Sequence, residues 1–267
     1  MANLLATRAP KVNRWLPGFI VRKLQRIVHE EEVNFIIESY GECEGVEFID
    51  KVLQHLGVTF TLHGVENIPA DGRFIFASNH PLGGFDGIVM LSALQKQFGS
   101  VKAVVNDILM YIQPLAPLFV PVNKHGKQSP EYARLLRKEG EGKGHLLFFP
   151  AGLCSRRIKG VVTDLPWKKK VLQVAREYKR DVIPVYFDGR NSNFFHNLSS
   201  FRRFFHLPNI EMLFLPDELF RQRGAHFHVY LGKPISYDLF ADRKNDEEML
   251  TFVRRKVYEL KERKKED

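Results

Sequence analysis

Cysteine is scarce in this chain, which has only Cys43 and Cys154 among 267 residues. Two cysteines are too few for a disulfide framework, and their number fits a reducing compartment. The first fifteen residues carry charges but neither a long apolar run nor a small-residue cleavage site, so no secretory signal is predicted there. We therefore expect the protein to remain in the cytoplasm.

Long hydrophobic runs are also missing. The most apolar stretch, residues 108–122, contains Gln113 and three prolines and is shorter than the roughly 20 residues that a membrane-spanning helix needs. Tryptophan is rare, with 2 residues against 22 phenylalanines, and no helix-turn-helix, zinc-finger or RNA-binding signature is present. Nucleic-acid binding is therefore not expected. The excess of 40 Lys and Arg over 31 Asp and Glu still favours an anionic partner, such as a lipid surface.

The predicted N-terminal segment is residues 1–56, and between Pro17 and Leu56 its apolar residues fall at helical spacing, with a break between Gly41 and Gly45. This pattern predicts two or three amphipathic helices. The first mixes basic and apolar side chains, namely Arg14, Trp15, Leu16, Phe19, Ile20, Arg22, Lys23 and Arg26. That composition is typical of a helix lying on an anionic membrane surface. It is equally typical of an ordinary helix with a solvated basic face, so both interpretations stay open.

From residue 57 onward, short β-rich runs alternate with helical ones. Strands are predicted at 58–62, 74–78, 101–105, 145–149, 182–187 and 226–231, and helices at 87–98, 129–139, 167–178 and 246–263. The alternation predicts an α/β domain over residues 57–267, with a mainly parallel sheet flanked by helices. Functional residues of such a domain lie at the carboxyl ends of its strands.

A histidine and an aspartate follow the second predicted strand. His80 comes just after the strand, Gly83 and Gly84 lie in the loop, and Asp86 stands where the next helix begins. The glycines allow the loop to fold back, so that Asp86 can reach one imidazole nitrogen and leave the other for a substrate hydroxyl. This arrangement predicts an oriented general base. The alternative is a loop histidine beside a helix-capping aspartate.

Four blocks of sequence, in order, resemble the glycerolipid (lysophospholipid) acyltransferase family. The first, Asn79 to Asp86, is similar to that family's Asn-His, four residues, Asp. The other three are Phe119-Val120-Pro121-Val122-Asn123-Lys124, Phe149-Pro150-Ala151-Gly152-Leu153-Cys154-Ser155-Arg156 and Val182-Ile183-Pro184-Val185. The resemblance covers residues 58–234, and four ordered blocks are far more specific than any one of them.

This resemblance implies an O-acyltransferase of membrane lipid biosynthesis, peripheral on the inner face of the cytoplasmic membrane. In it, His80 would deprotonate the hydroxyl of a lysolipid acceptor, and Asp86 would orient the imidazole. The acyl donor would be a thioester of acyl carrier protein or coenzyme A, with no cofactor and no metal. The substrate-binding residues that the resemblance implies are Asn79, Gly83, Gly84, Asn123, Lys124, Pro150, Gly152, Arg156 and Arg157.

Three departures from the family pattern concern spacing and the acceptor. Five residues instead of four separate His80 from Asp86, Ala151 replaces the usual glutamate of the third block, and the second block lacks its usual arginine. The family uses the last two positions to bind glycerol phosphate. The variant pattern is similar to a hemolysin-like branch, some of whose members acylate lyso-ornithine or lyso-glycine lipids. A lyso-amino-acid lipid is therefore the expected acceptor, with 1-acylglycerol-3-phosphate as the alternative.

A basic cluster, Arg156, Arg157 and Lys159, follows the third block. We expect it to meet a carboxylate head group, a phosphate of the donor or an acidic carrier protein. A solvated basic loop is the alternative interpretation.

Two other functions remain open. The stretch Gly152 to Arg156 distantly resembles a nucleophile elbow, which would make the protein a thioesterase or hydrolase using Cys154 or Ser155, although the closing glycine is missing. A non-catalytic lipid-binding protein would keep the fold without acyl transfer, and a His80–Asp86 gap too wide for a hydrogen bond would favour it. His226 and His228 share a strand face but have no third ligand at metal spacing, so ordinary strand histidines are expected.

Overall fold

Nine short strands form the β-structure of the computed structural model, which describes residues 17–122, 129–241 and 245–263. These strands are β1 (Thr59–His63), β2 (Phe74–Ser78), β3 (Val101–Asn106), β4 (Phe119–Val122), β5 (His145–Phe148), β6 (Arg156–Ile158), β7 (Val161–Thr163), β8 (Asp181–Asp188) and β9 (His226–Leu231). Seven of them form one sheet in the order β1-β9-β8-β2-β5-β3-β4, and β6 and β7 form a separate hairpin.

The seven-stranded sheet is mainly parallel, as the alternation of elements predicts. Among the described strands of this sheet, only β8 and β9 pair antiparallel, so β1 and β9 run against the other five strands. The strand β2 is central, with Ala77 opposite Pro184 of β8 on one side and Phe148 of β5 on the other. The carboxyl ends of β8, β2 and β5 therefore lie side by side, and the loops that follow them share one edge of the sheet.

Helices cover both faces of this sheet. Their bounds are α1 (Gly18–Ile27), α2 (Glu30–Tyr40), α3 (Gly45–Leu56), α4 (Gly84–Phe98), α5 (Pro130–Glu141), α6 (Lys170–Tyr178), α7 (Asn193–Phe204), α8 (Leu215–Phe220) and α9 (Asp246–Arg263). Alternate residues of β2 enter two separate apolar clusters: Phe76 packs with the α3 and α4 side, and Ile75 with the α6 and α9 side. In the part of the chain that the structure describes, no helix is long and apolar enough to cross a bilayer.

Most predicted elements are confirmed. Three helices occupy the N-terminal segment from Gly18, the six predicted strands are present within one residue at each end, and the four predicted helices within three. The sequence pattern does not predict the hairpin β6–β7 or the helices α7 and α8. In α7 the buried positions are Phe195, His196 and Ser199, whereas phenylalanines such as Phe204 face outward. This helix therefore shows no inward apolar stripe that periodicity could detect.

Candidate active site

The loop between β2 and α4 brings His80 and Asp86 into contact. The Nδ1 atom of His80 lies 3.0 Å from Oδ1 and 3.1 Å from Oδ2 of Asp86, within hydrogen-bonding distance as predicted. The extra residue of the spacing is absorbed at Gly83, whose φ of +78° favours glycine. A Cβ atom there would also lie 3.2 Å from the side chain of Leu215. Gly84 begins α4 with open space where a Cβ would stand.

Backbone amides fix the carboxylate of Asp86. Its Oδ2 atom accepts the Leu82 N–H at 2.9 Å, and its Oδ1 atom accepts the Gly87 N–H at 2.7 Å. The carboxylate is fully buried, so these bonds hold it where it can accept the Nδ1 proton of His80. Among the described residues, the Nε2 atom of His80 makes no hydrogen bond, and 15% of the side chain is exposed. That nitrogen is therefore available to a substrate hydroxyl.

The pKa of His80 lies above its ordinary value. Burial is the largest single cause and lowers this pKa, but the charge of Asp86 and its hydrogen bond to the imidazole act in the opposite direction, and the net shift is upward. The negative charge of Asp164 raises the pKa further, and the positive charge of Arg156 opposes it. As the pH falls through this raised pKa, the imidazole takes up a proton and can no longer accept one from a substrate.

A second aspartate holds the backbone of His80. The Oδ1 atom of Asp164 accepts the His80 N–H at 3.1 Å and the Ser155 hydroxyl at 2.6 Å. Ser155 in turn donates its N–H to the His80 carbonyl at 2.7 Å. The Trp167 indole N–H binds the other oxygen of Asp164 at 2.9 Å. Sequence reasoning missed Asp164 and Trp167, because no local motif marks a carboxylate that lies 84 residues from its partner.

The third block forms the neighbouring wall of the site. Phe149 packs on the imidazole of His80, with 4.3 Å between ring centroids. Pro150 is buried and accepts the Lys168 N–H at 3.0 Å, and the exposed Gly152 has a φ of +67°. A Cβ at Gly152 would lie 3.2 Å from the Nζ atom of Lys168. Lys168 therefore brings a positive charge to this loop, which the motif comparison did not predict.

Asn79, which the family resemblance implies as a substrate-binding residue, bonds to the neighbouring strand β8 in the structure. Its amide donates to the Phe187 carbonyl at 2.9 Å, and its Oδ1 atom accepts the Phe187 N–H at 2.7 Å. The side chain is buried and ties the end of β2 to β8. These two bonds fix the position of Asn79, the residue that precedes His80.

Arg156 is buried, so the basic cluster predicted with Arg157 and Lys159 is not presented as a whole to solvent. Only 1% of Arg156 is exposed, and its guanidinium lies 3.1 Å from Glu211, which is fully buried. It also donates to the Cys154 carbonyl at 2.7 Å. Lys159 lies in the turn between β6 and β7, with a left-handed φ of +49°. Asn123 and Lys124 of the second block lie outside the described residues.

A different cationic pair lies beside α7. Arg157 and Arg190 both donate to the Oδ1 atom of Asn193, at 2.8 and 2.7 Å. Arg157 also donates to Asn197 at 2.6 Å, and these bonds are solvent-exposed. Burial, followed by the positive charges of Arg190, Arg157 and Arg156, lowers the pKa of His196 to about 4. Two positively charged side chains therefore converge on the first residue of α7.

The two candidate nucleophiles of the hydrolase alternative are not available. Cys154 is buried, and burial raises its pKa to about 11 despite the nearby Arg156, so the thiol is protonated at neutral pH. Ser155 is buried and donates its hydroxyl hydrogen to Asp164. His226 bonds to Thr59 and Thr61 across the strand pair, as expected for an ordinary strand histidine.

The structure has the mainly parallel α/β sheet that the alternation of elements predicts, and the histidine–aspartate pair that the acyltransferase resemblance implies follows its central strand. A sequence model described as acyltransferase matches residues 3–266, and the chain belongs to this family. The protein is therefore an acyltransferase enzyme, and the family that its motifs resemble is confirmed.

Two curated relatives are similar across almost the whole chain. One is the lyso-glycine lipid O-acyltransferase of Bacteroides thetaiotaomicron, 40% identical over 259 residues, which cover 96% of this chain and 95% of the relative. The other is the lyso-glycine lipid O-acyltransferase of Phocaeicola vulgatus, 39% identical over 96% of this chain and 93% of the relative. A solved structure, the 1-acyl-sn-glycerophosphate acyltransferase of Thermotoga maritima, is 19% identical, with a TM-score of 0.45 and coverage of 91% of this chain and 92% of that chain.

Proposed function

We propose that this enzyme transfers a fatty acyl group from a thioester to the hydroxyl of a lyso-amino-acid lipid at a membrane surface. The observation that carries the proposal is the His80–Asp86 pair, whose geometry leaves Nε2 of His80 available to a hydroxyl. Both curated relatives are named for a lyso-glycine lipid acceptor, and each aligns with 96% of this chain. These relatives support the same acceptor class here.

The proposed reaction needs one base and no acyl-enzyme. Nε2 of His80 takes the hydroxyl proton while the oxygen attacks the thioester carbonyl, forming a carbon–oxygen bond. The tetrahedral intermediate then breaks its carbon–sulfur bond, and the imidazolium of His80 returns the proton to the departing sulfur. The products are an ester and a free thiol of acyl carrier protein or coenzyme A. Asp86 remains ionised throughout and stabilises the imidazolium.

The acceptor's carboxylate head group fits the pair formed by the half-buried Arg157 and the exposed Arg190. Both guanidinium groups already converge on one neutral oxygen, that of Asn193. A carboxylate accepts charge-assisted hydrogen bonds, which are roughly twice as strong as neutral ones, and it could bind both arginines. Arg157 lies two residues from Ser155, which bonds to the backbone of His80. The third block has the buried Ala151 in place of a carboxylate, so it offers no glutamate to a glycerol-phosphate acceptor.

A competition between acceptors tests this proposal. Purified protein is given palmitoyl thioesters of acyl carrier protein or coenzyme A, with lysophosphatidic acid and a lyso-glycine lipid at equal concentration in detergent. The lyso-glycine lipid should be acylated faster by about tenfold or more, since one charge-assisted contact to the right head group is worth that much. Faster acylation of lysophosphatidic acid by an order of magnitude would contradict the proposal.

An arginine variant tests the head-group contact separately. Arg157→Ala should raise the KM for the lyso-glycine lipid and leave kcat and the KM for the thioester near their wild-type values. The matched control is Arg137→Ala, which removes an exposed arginine from α5. Equal KM values for wild type and Arg157→Ala would remove Arg157 from the acceptor site.

A further inference from the structure

The segment from the end of α7 to the start of α8 carries an apolar surface of six side chains that the described residues leave exposed. We call it the phenylalanine surface, and it consists of Phe201, Phe204, Phe205, Leu207, Ile210 and Leu213. All eight residues from 203 to 210 are exposed, and Phe204 is 77% exposed. The rings of Phe201 and Phe204 lie 4.7 and 5.0 Å from that of Phe205, so these side chains form one patch.

The helix α7 presents its polar and apolar residues in an inverted arrangement. Two of its three buried residues are His196 and Ser199, whereas Phe201 and Phe204 face outward. A surface helix of a water-soluble domain normally points its apolar stripe inward. Large exposed apolar patches mark surfaces that bind a partner or a membrane.

Charge identifies the partner of the phenylalanine surface. Residues 193–210 contain Arg202 and Arg203 and no Asp or Glu. The next acidic residue, Glu211, is fully buried and paired with Arg156 and Arg202, at 3.1 Å each. Arg202 is thus neutralised by Glu211, whereas Arg203 forms no ion pair among the described residues, so the surface combines phenylalanines with the uncompensated charge of Arg203. This is the composition of helices that lie in the head-group region of anionic membranes.

The phenylalanine surface adjoins the candidate active site. Arg203 donates to the Arg157 carbonyl at 2.7 Å, which joins α7 to the hairpin after the third block. The side chain of Leu215, at the start of α8, packs against Gly83 of the His80–Asp86 loop, so that a Cβ atom on Gly83 would lie 3.2 Å from it. A lipid held against this surface would therefore lie next to the loop that carries His80.

We infer that the phenylalanine surface inserts into the head-group region of an anionic membrane leaflet and presents the active site to lipids there. The inference rests on the proposed function, since a one-tailed lipid acceptor resides in a membrane. It assigns insertion to α7 and the segment after it, in addition to any contact by the basic helix α1. A second copy of the chain fits less well, because a two-fold contact would bring Arg203 close to its own counterpart. An acidic carrier protein would match the arginines but leave six apolar side chains without a partner.

Vesicle binding tests this inference. The double variant Phe204→Ser/Phe205→Ser should bind vesicles of phosphatidylcholine and phosphatidylglycerol about a hundredfold more weakly than wild type, since burying each phenylalanine is worth about tenfold or more. The matched control is Leu239→Ser, which also removes an exposed apolar side chain. Leu239 follows β9 and lies near Asp181 at the start of β8, whereas the candidate active site lies at the carboxyl end of that strand. The Leu239→Ser control should bind vesicles as wild type does.

Activity measurements complete the test. The double variant and the Leu239→Ser control should both acylate a detergent-dispersed lyso-glycine lipid at the wild-type rate. The double variant should lose activity only toward acceptor embedded in vesicles.

Wild-type vesicle binding by the folded double variant would overturn the inference. So would a wild-type dimer that the substitution converts to a monomer, because a second copy would then be the occupant. A wild-type protein that binds vesicles through this surface but acylates no lyso-glycine lipid in detergent would refute the proposed acceptor and leave the membrane surface standing. As a check that does not depend on losing side chains, Phe204→Trp should gain fluorescence that brominated phosphatidylcholine quenches. Quenching of Leu239→Trp to the same degree would contradict insertion at α7.

Discussion

The carboxylate of Asp164 accepts the backbone N–H of His80 at 3.1 Å, although the two residues come from different loops of the fold. Asp164 follows β7, and Ser155 completes the contact by binding both Asp164 and the carbonyl of His80. The main chain of the proposed base is thereby held at both its donor and its acceptor. We conclude that the hairpin β6–β7 is part of the machinery that positions His80, although it is not expected to touch the reacting atoms.

Replacing Asp164 by asparagine should move the activity profile along the pH axis. The negative charge of Asp164 raises the pKa of His80, so Asp164→Asn should lower that pKa. Because the neutral imidazole is the active form, the acidic limb of kcat/KM should then move to lower pH. The free energy of unfolding should fall by about 1–3 kcal/mol, because one buried donor loses its acceptor. Asp71→Asn, at an exposed position, serves as the control and should change neither quantity.

Asp86→Asn should move the acidic limb of kcat/KM to lower pH by more than Asp164→Asn does, and it should also reduce kcat. Asp86 raises the pKa of His80 more than Asp164 does, through both charge and hydrogen bonding. The neutral amide cannot stabilise an imidazolium in the transition state, so we expect kcat to fall by about 10²–10⁴-fold. Measuring kcat/KM from acidic to neutral pH checks both effects. An acidic limb that stays in place or moves to higher pH would contradict the assigned coupling.

Truncation to alanine should lower the free energy of unfolding much more at Arg156 than at the neighbouring Arg157. Arg156→Ala leaves the fully buried Glu211 without one of its two arginines, and breaking a buried ion pair costs about 3–5 kcal/mol. Arg157→Ala removes exposed contacts to Asn193 and Asn197 and should change the free energy of unfolding by no more than about 0.5 kcal/mol. Urea unfolding of both variants measures the difference. Similar losses in the two proteins would show that the burial of Arg156 does not set its contribution.

The sequence predicts the parts of the site that lie close together in the chain. The strand β2, its loop and the start of α4 span few residues, so local patterns are enough to bring His80 and Asp86 together. Contacts between distant segments leave no such pattern, which is why Asp164 was missed. The three-residue strand β6 is too short for its alternation to be recognised, so the sequence could not tell that Arg156 faces inward and Arg157 outward.

The helix α7 shows a further limit of pattern analysis. Periodicity identifies helices whose apolar residues face the core, and it identified α4 and α9 in that way. Phe201 and Phe204 of α7 face outward instead, and the surface that we assign to them is a membrane rather than the protein interior. The outward orientation of these side chains explains why periodicity did not predict the helix, and it is also the observation on which the membrane inference rests.

The rate of acyl transfer by His80→Ala tests the central claim most directly. The variant lacks the proposed base at a part-exposed loop position, so its circular dichroism spectrum and Tm should match those of wild type. Transfer from a thioester to a lyso-glycine lipid should fall by at least about 10²-fold, the lower end of the general-base contribution. The control His226→Ala removes an exposed strand histidine and should keep wild-type turnover. A folded His80→Ala protein that acylates the lipid at the wild-type rate would contradict the assignment of His80 as the base.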